Sequence, residues 1–234
     1  MYQAEHYWPL KTATAVTLHL PWGAVPLNDA ALAHLKSITP ARPPVTLPDD
    51  AATYTALLDQ LTELLAVGRN QEARAAAEKV LPYFARRPPD EGGRFFGILG
   101  TARRRTSDLS LAAASFEVAI RLLEIAGDTL SLGVVSDNLA TVRRLQKRLP
   151  EAEAASDRAI AAFESLDTPS GNASLGGAYN NRSLILADQG SAELALVYNE
   201  RALALLKIAY KDDPQALRPF LEDNKFLRKA IKKP

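Results

Sequence analysis

Small residues recur along this chain at a nearly constant spacing, and that recurrence restricts the fold more than any single motif does. Gly68 is followed five residues later by Ala73, and Gly190 five residues later by Ala195. Gly100 precedes Ala112 by twelve residues, and Ala112 precedes Phe116 and Ala119 by four and seven. Taking Ala73, Ala112, Ala152 and Ala195 as markers, the periods are 39, 40 and 43. Repetition at this length signals one supersecondary unit copied several times, each copy burying its apolar face against its neighbours. Such chains usually present a binding surface rather than a catalytic cleft.

From residue 50 onward the pattern is helical. Leu57, Leu58, Leu61, Leu64 and Leu65 recur at threes and fours, the spacing of one helix face. Breakers then arrive regularly: Gly68-Arg69-Asn70, Pro88-Pro89-Asp90, Ser107-Asp108, Gly127-Asp128, Leu149-Pro150, Thr168-Pro169-Ser170-Gly171 and Gly190-Ser191. The stretches between them have the length of ordinary globular helices, roughly 14 to 20 residues. Eight helices result, and connections this short force them into four antiparallel pairs. Residues Asp213 to Lys233 predict one more amphipathic helix. Leu217, Phe220, Leu221, Leu227 and Ile231 would face the last pair, and Arg218, Lys225, Arg228, Lys229, Lys232 and Lys233 would form a basic outer side. A repeat array needs a polar cap over its open end, and this helix is expected to supply it.

Laid over one another, the four pairs resemble tetratricopeptide repeats. The second pair matches best, with Phe96, Leu99 and Gly100 in its first helix and Ala112, Phe116 and Ala119 in its second. The fourth offers Tyr179, Gly190, Ala195 and Ala202, the third Leu139, Ala140, Ala152 and Ala159, and the first Leu57, Gly68, Ala73 and Val80. Small residues at these places let paired helices approach, and the aromatic is expected to fill the wedge beside the next pair. The sequence departs from the family pattern where Arg103 and Arg143 replace an aromatic and where the terminal proline is missing. The long periods resemble those of kinesin light chains and bacterial regulatory or adaptor proteins. The resemblance implies an all-α, right-handed solenoid of four helix pairs plus the cap helix over residues 49–234. It further implies a non-catalytic adaptor or regulator that binds protein or peptide in a concave groove.

Residues 1–48 read differently. They hold all three histidines (His6, His19, His34), both tryptophans (Trp8, Trp22) and many prolines. Thr14–Leu20 alternates like a strand, Asn28 offers a cap for a short helix over Asp29–Ile38, and Ile38–Pro48 has four prolines in eleven residues, an extended connector. Asp49 or Asp50 then caps the helical region. This segment is expected to be a small irregular or β appendage that packs on the repeats, pairs with a second chain or orders on binding, because one strand is too little for a sheet of its own.

Composition narrows the function. The net charge is +1, which does not mark a general polyanion binder. Absence of cysteine removes disulfides, thiolate metal sites and cysteine nucleophiles and fits a reducing compartment. The opening MYQAEHYWPLK lacks the basic-then-apolar order of a signal peptide, and no run of eighteen apolar residues predicts a membrane span. A cytoplasmic location is expected, and the excess of arginine over lysine with abundant alanine hints at a GC-rich bacterial genome. No GxxxxGK[ST], HExxH or GxSxG motif is present. The histidines are spaced too widely for a compact metal site, so no catalytic residue, metal or cofactor is expected.

Transferring the family's groove positions places Arg94, Thr101, Arg104 and Arg105 on the concave face of the second pair. In the third it places Asp137, Asn138, Thr141 and Arg144 there, and in the fourth Asn180, Asn181 and Leu184. Asn138 and Asn181 share a repeat position, 43 residues apart. An amide there resembles the clamp with which peptide-binding members hold a ligand backbone, since it donates and accepts together. Arg103-Arg104-Arg105 and Arg143-Arg144 return at an offset of 40 and would stack into a basic stripe able to grip carboxylates through guanidinium forks. The expected partner is therefore a protein or an extended acidic peptide. One alternative is a ligand-sensing regulator that touches nucleic acid through basic patches, disfavoured by the missing aromatic ladder. The other is an enzyme that uses the N-terminal histidines. Homo-oligomers could form through the N-terminal segment or the ends of the array.

Overall fold

The computed structural model describes residues 16–20, 23–27, 50–84, 87–166 and 168–231, the first two stretches as backbone. The short helix expected over Asp29–Ile38 and the connector Ile38–Pro48 lie outside the described residues. The chain forms two compact units, residues 1–128 and 129–234. The expected helical pairs are present, and the fold class is all-α with tetratricopeptide-like repeats.

In the first unit, β1 (Val16–Leu20) and β2 (Gly23–Leu27) form an antiparallel ladder with Val16 opposite Leu27 and Leu20 opposite Gly23. β1 falls inside the expected strand. Four helices follow: α1 (Ala51–Ala66), α2 (Asn70–Phe84), α3 (Pro89–Arg105) and α4 (Leu109–Ala126). Of the two candidate caps, Asp50 serves α1: its carboxylate accepts from the Thr53 N–H at 2.7 Å and the Thr53 hydroxyl at 2.8 Å. α3 packs on α1, α2 and α4, and β2 lies against α4. Aromatic rings join the first three helices. Tyr54 meets Phe84 edge-on at 5.2 Å, Phe84 stacks on Phe95 at 4.1 Å, and Phe95 meets Phe96 edge-on at 5.5 Å.

The second unit contains α5 (Thr129–Leu145), α6 (Leu149–Glu164), α7 (Pro169–Asp188), α8 (Ala192–Ala209), a 3-10 turn (Pro214–Leu217) and α9 (Arg218–Ile231). α5 pairs with α6 and α7 with α8, while α9 packs on α8. The cap is shorter than expected. The Asp213 carboxylate accepts from the Ala216 N–H and starts the 3-10 turn, and Pro219 lacks the N–H that an α-helix running through from Asp213 would need. Leu227 anchors α9 against Leu186 and Ala195, whereas Leu221, expected in that contact, is exposed.

One contact repeats inside each of the last three pairs. A Cβ on Gly93 would lie 2.6 Å from Leu123, one on Gly133 2.5 Å from Phe163, and one on Gly176 2.8 Å from Leu206. Each glycine and its bulky partner are 30 residues apart. Gly100 likewise seats the Phe116 ring at 2.6 Å. Phe116 therefore packs on the first helix of its own pair, where Gly100 leaves a ring-sized recess.

The turn inside each pair also repeats. Gly68, Ser107, Lys147 and Gly190 occupy one repeat position, and all have positive φ: 78°, 64°, 60° and 85°. The third turn is thus made by Lys147, two residues before the Leu149-Pro150 breaker. A side chain in this region costs about 1 kcal/mol relative to glycine. Ser107→Gly should therefore stabilise the protein by about that amount in urea melts, and Gly190→Ser should destabilise it similarly. Ala112 and Ala195 are fully buried at the pair crossings. Ala112→Leu or Ala195→Leu should overpack them and lower stability by roughly 1–3 kcal/mol. Unchanged melts for both would contradict the repeat register.

Candidate partner-binding site

Two of the site residues expected in the first unit, Arg94 and Arg105, bond groups outside their own helix. Arg94 on α3 forms an ion pair with Asp128, N to O 3.0 Å. Thr101 donates to the Gly97 carbonyl of its own helix at 2.9 Å. Arg105 reaches the Leu65 carbonyl at the end of α1 and closes that helix terminus. Arg104 is half-buried. Arg103 is fully buried: its guanidinium donates to Glu78 on α2 at 3.0 Å and to the Ser115 hydroxyl on α4 at 2.8 Å. Burial pushes the Arg103 guanidinium below its ordinary range, and Glu78 opposes that shift. Arg143 in the second unit is buried too and pairs with Glu151 at 3.2 Å. Arg103 and Arg143 are therefore not part of a ligand-facing basic stripe; they stand where the repeat pattern calls for an aromatic and tie helices together by charge.

In the second unit α5 and α7 lie side by side. Asn181 on α7 donates to the Asp137 carboxylate on α5 at 2.7 Å, while Asn138 donates to the Val134 carbonyl of its own helix at 3.0 Å. The two asparagines at equivalent positions thus have different partners. Thr141 donates to the Asp137 carbonyl at 3.2 Å. Leu184 is half-buried. Arg144 and Lys147 share one carboxylate oxygen of Asp188, at 3.5 and 3.2 Å. Two cations on one carboxylate leave this end of α5 with a positive excess.

Asn180 does not face this surface. It is buried, donates to Asp223 on α9 at 3.1 Å and accepts from Asn199 on α8 at 2.8 Å. Asn224 on α9 donates to Asn199 at 2.7 Å. The result is a buried amide chain that seats the cap helix. Tyr179 and Arg182 join α7 to α6: the Tyr179 hydroxyl donates to Glu164 at 2.8 Å, and Arg182 pairs with Asp157 at 3.0 Å. Burial and the Glu164 carboxylate beside it push the Tyr179 phenol up to about 12.

Three residues of this surface escaped the sequence reading. Leu130 and Val134 on α5 are 41% and 43% exposed. On the adjoining α7, at the repeat position of Val134, a Cβ built on Gly177 would meet nothing within 4 Å. Leu130 and Val134, four apart, carry the same periodic signal as a core stripe. The repeat register was the signal available, since Gly177 stands where the earlier pairs have Arg94 and Val134. Among the described residues no group of acidic, histidine or cysteine side chains could hold a metal ion, and no helix is long and apolar enough to cross a membrane. The side chains of the three histidines lie outside the described residues.

Paired helices, glycine-seated crossings and an open polar and apolar face define a tetratricopeptide-like repeat scaffold, a type of fold suited to protein interaction. Solved structures agree. The chain is similar to BtubC (BKLC) from P. vanneervenii, with a TM-score of 0.57 and 21% identity over 79% of this chain and 85% of that one. It is also similar to a P. anserina kinesin light chain-type protein with nearly identical TPR-like repeats, with a TM-score of 0.55 and 15% identity over 81% of this chain and all of that one. No protein-family model matches the sequence, and no curated protein matches it.

The amide chain gives a direct test of how the cap is held. Asn199→Leu removes the centre of the chain and takes one partner each from buried Asn180 and half-buried Asn224. Unsatisfied groups of this kind cost about 1–3 kcal/mol. The variant should lose that much stability, and hydrogen exchange should accelerate in α9 before α5. Equal protection of α9 in both proteins would show that Leu227 alone holds it.

Proposed function

We propose that this chain is a non-catalytic binding scaffold that takes an extended acidic segment of a partner protein along the α5 and α7 face. The observation that carries the reading is the open space over Gly177, which shares a repeat position with exposed Val134 on the adjoining α5, where Leu130 is exposed one turn earlier. An apolar ligand side chain fits there. Asn138 and Asn181 lie next along the face and are suited to the ligand backbone, with Thr141 beside them. At the far end Arg144 and Lys147, with one carboxylate between them, favour an acidic side chain. Val134 and Arg144 are ten residues apart on one helix, about 15 Å. An extended peptide covers that distance in roughly four to five residues. The motif expected is an apolar residue followed or preceded at that interval by a carboxylate. Arg94, Thr101, Arg104 and Arg105 would form a second, independent surface on the first unit, weakened by the internal partners of Arg94 and Arg105.

Selection from a random peptide library displayed on phage, followed by calorimetric titration of the winning peptides, tests this. Gly177→Leu fills the space with a better helix former, so the fold should stay intact while affinity falls at least tenfold. Arg144→Glu should weaken acidic peptides more at low salt than at high salt. Asn138→Ala with Asn181→Ala should weaken acidic and neutral peptides alike. Wild-type affinity in Gly177→Leu, or peptides mapped to the outer face of the second helices, would sink the proposal.

A further inference from the structure

The outer face of α8 differs from the same face of its sister helices. Leu194, Val197 and Ile208 are 48%, 45% and 74% exposed. At the matching repeat positions α6 carries Glu151, Ala154 and Ser165, an ordinary solvent face. On α4 the corresponding face is covered in part: β2 lies against that helix, and Ala114 and Val118 are buried, while Ile125, which matches Ile208, is 49% exposed. On α8, Val118 is matched by exposed Arg201. The repeat therefore has a second-helix outer face that can be solvated, as in α6, or apolar and partly covered, as in α4. α8 has the apolar version without a cover among the described residues.

The pattern on that face is regular. Leu194, Val197, Arg201, Ala204 and Ile208 alternate by three and four, the seam of a two-helix coiled coil. The charges beside the seam are segregated along the helix. Exposed Glu193 and Glu200 flank its first half, Glu200 also pairing with Arg228 of α9, and exposed Lys207 lies along its second, with Lys211 beside Asp212 in the turn that follows. A parallel neighbour of the same sequence would set acid on acid and lysine on lysine. An antiparallel one sets each acidic half on a basic half, and the two helix dipoles also oppose. It also places Arg201 against the small Ala204 of the second copy, which leaves room for the guanidinium, while Val197 meets Ile208.

We propose that α8 pairs antiparallel with α8 of a second copy of this chain, about a two-fold axis passing between Arg201 and Ala204. The contact lies on the outer face of a second helix and leaves the α5 and α7 surface of both copies open, so the assembly is bivalent for whatever that surface binds. It does not depend on the proposed peptide site.

The cysteine-free sequence makes the test clean. In sedimentation of the full chain, the mass should rise with concentration from 25.4 kDa toward twice that value. Val197→Glu combined with Ile208→Glu changes two exposed residues; it should keep the helical circular dichroism and remain at monomer mass throughout. Ala204→Cys, close to the axis, should give a disulfide-linked dimer on mild oxidation. Leu194→Cys should not, because an antiparallel pair separates the two copies of that residue by about 25 Å. A wild-type chain that stays monomeric at every concentration would overturn the proposal. So would a Val197→Glu, Ile208→Glu variant that still dimerises, or crosslinking at Leu194→Cys as readily as at Ala204→Cys.

Discussion

The close approach of each first helix to its second sets the geometry of most of the molecule. Gly93, Gly133 and Gly176 each receive a large side chain from thirty residues downstream, at distances that leave no room for a Cβ. A seat this tight fixes both the separation of the helices and their rotation about their axes. Rotation decides which residues of a first helix stay outside its pair. With Gly133 turned toward Phe163, Leu130, Val134, Asn138 and Thr141 fall on the sides of α5 that are not covered by α6. Gly176 does the same for Gly177 and Asn181 on α7. The first pair lacks the glycine and has Tyr54 at that position, so its contact with Phe84 is edge-on between rings.

Charge works mainly between helices. Arg103 is the largest fully buried side chain among the described residues, and it survives there because Glu78 and Ser115 replace the water it loses. Arg143 and Arg182 likewise have acidic partners on adjoining helices. An arginine suits this job because its fork can bond two helices at once and its long stem packs with the core. Much of the arginine that looked like a ligand-binding stripe is therefore internal stitching. The positive excess left over is local, at Arg144 and Lys147.

The fold was legible in the sequence to the extent that its determinants are local. Helix stops, the period and the small residues at the crossings follow from spacing, and the Asp50 cap from one carboxylate before an apolar run. The turn at Lys147 was hidden because a lysine does not announce a positive φ. The glycine seats at 93, 133 and 176 were missed because the contact spans thirty residues, beyond any single helix pattern. The candidate surface was legible only in part. Asn138 and Asn181 were found by register, but register cannot say that one bonds its own helix and the other the helix before it. That depends on Asp137, which sits one residue before Asn138; its counterpart before Asn181 is Asn180, already engaged by Asp223.

That substitution explains how the second unit ends. Asp137, Asn180 and Asp223 follow one another at a spacing of 43, as do Asn138, Asn181 and Asn224. α9 therefore stands in the position of another first helix and continues the polar contacts that α5 makes with α7. Inside, where Asn180 and Asn199 are buried, the amides must be paired completely, and they hold α9 in one register. Nearer the surface, Asn181 and Asp137 are only partly buried. One ladder of amides and carboxylates thus seats α9 at its buried rungs and stays at the surface of α5 and α7 at its open ones, and the depth of each rung decides which.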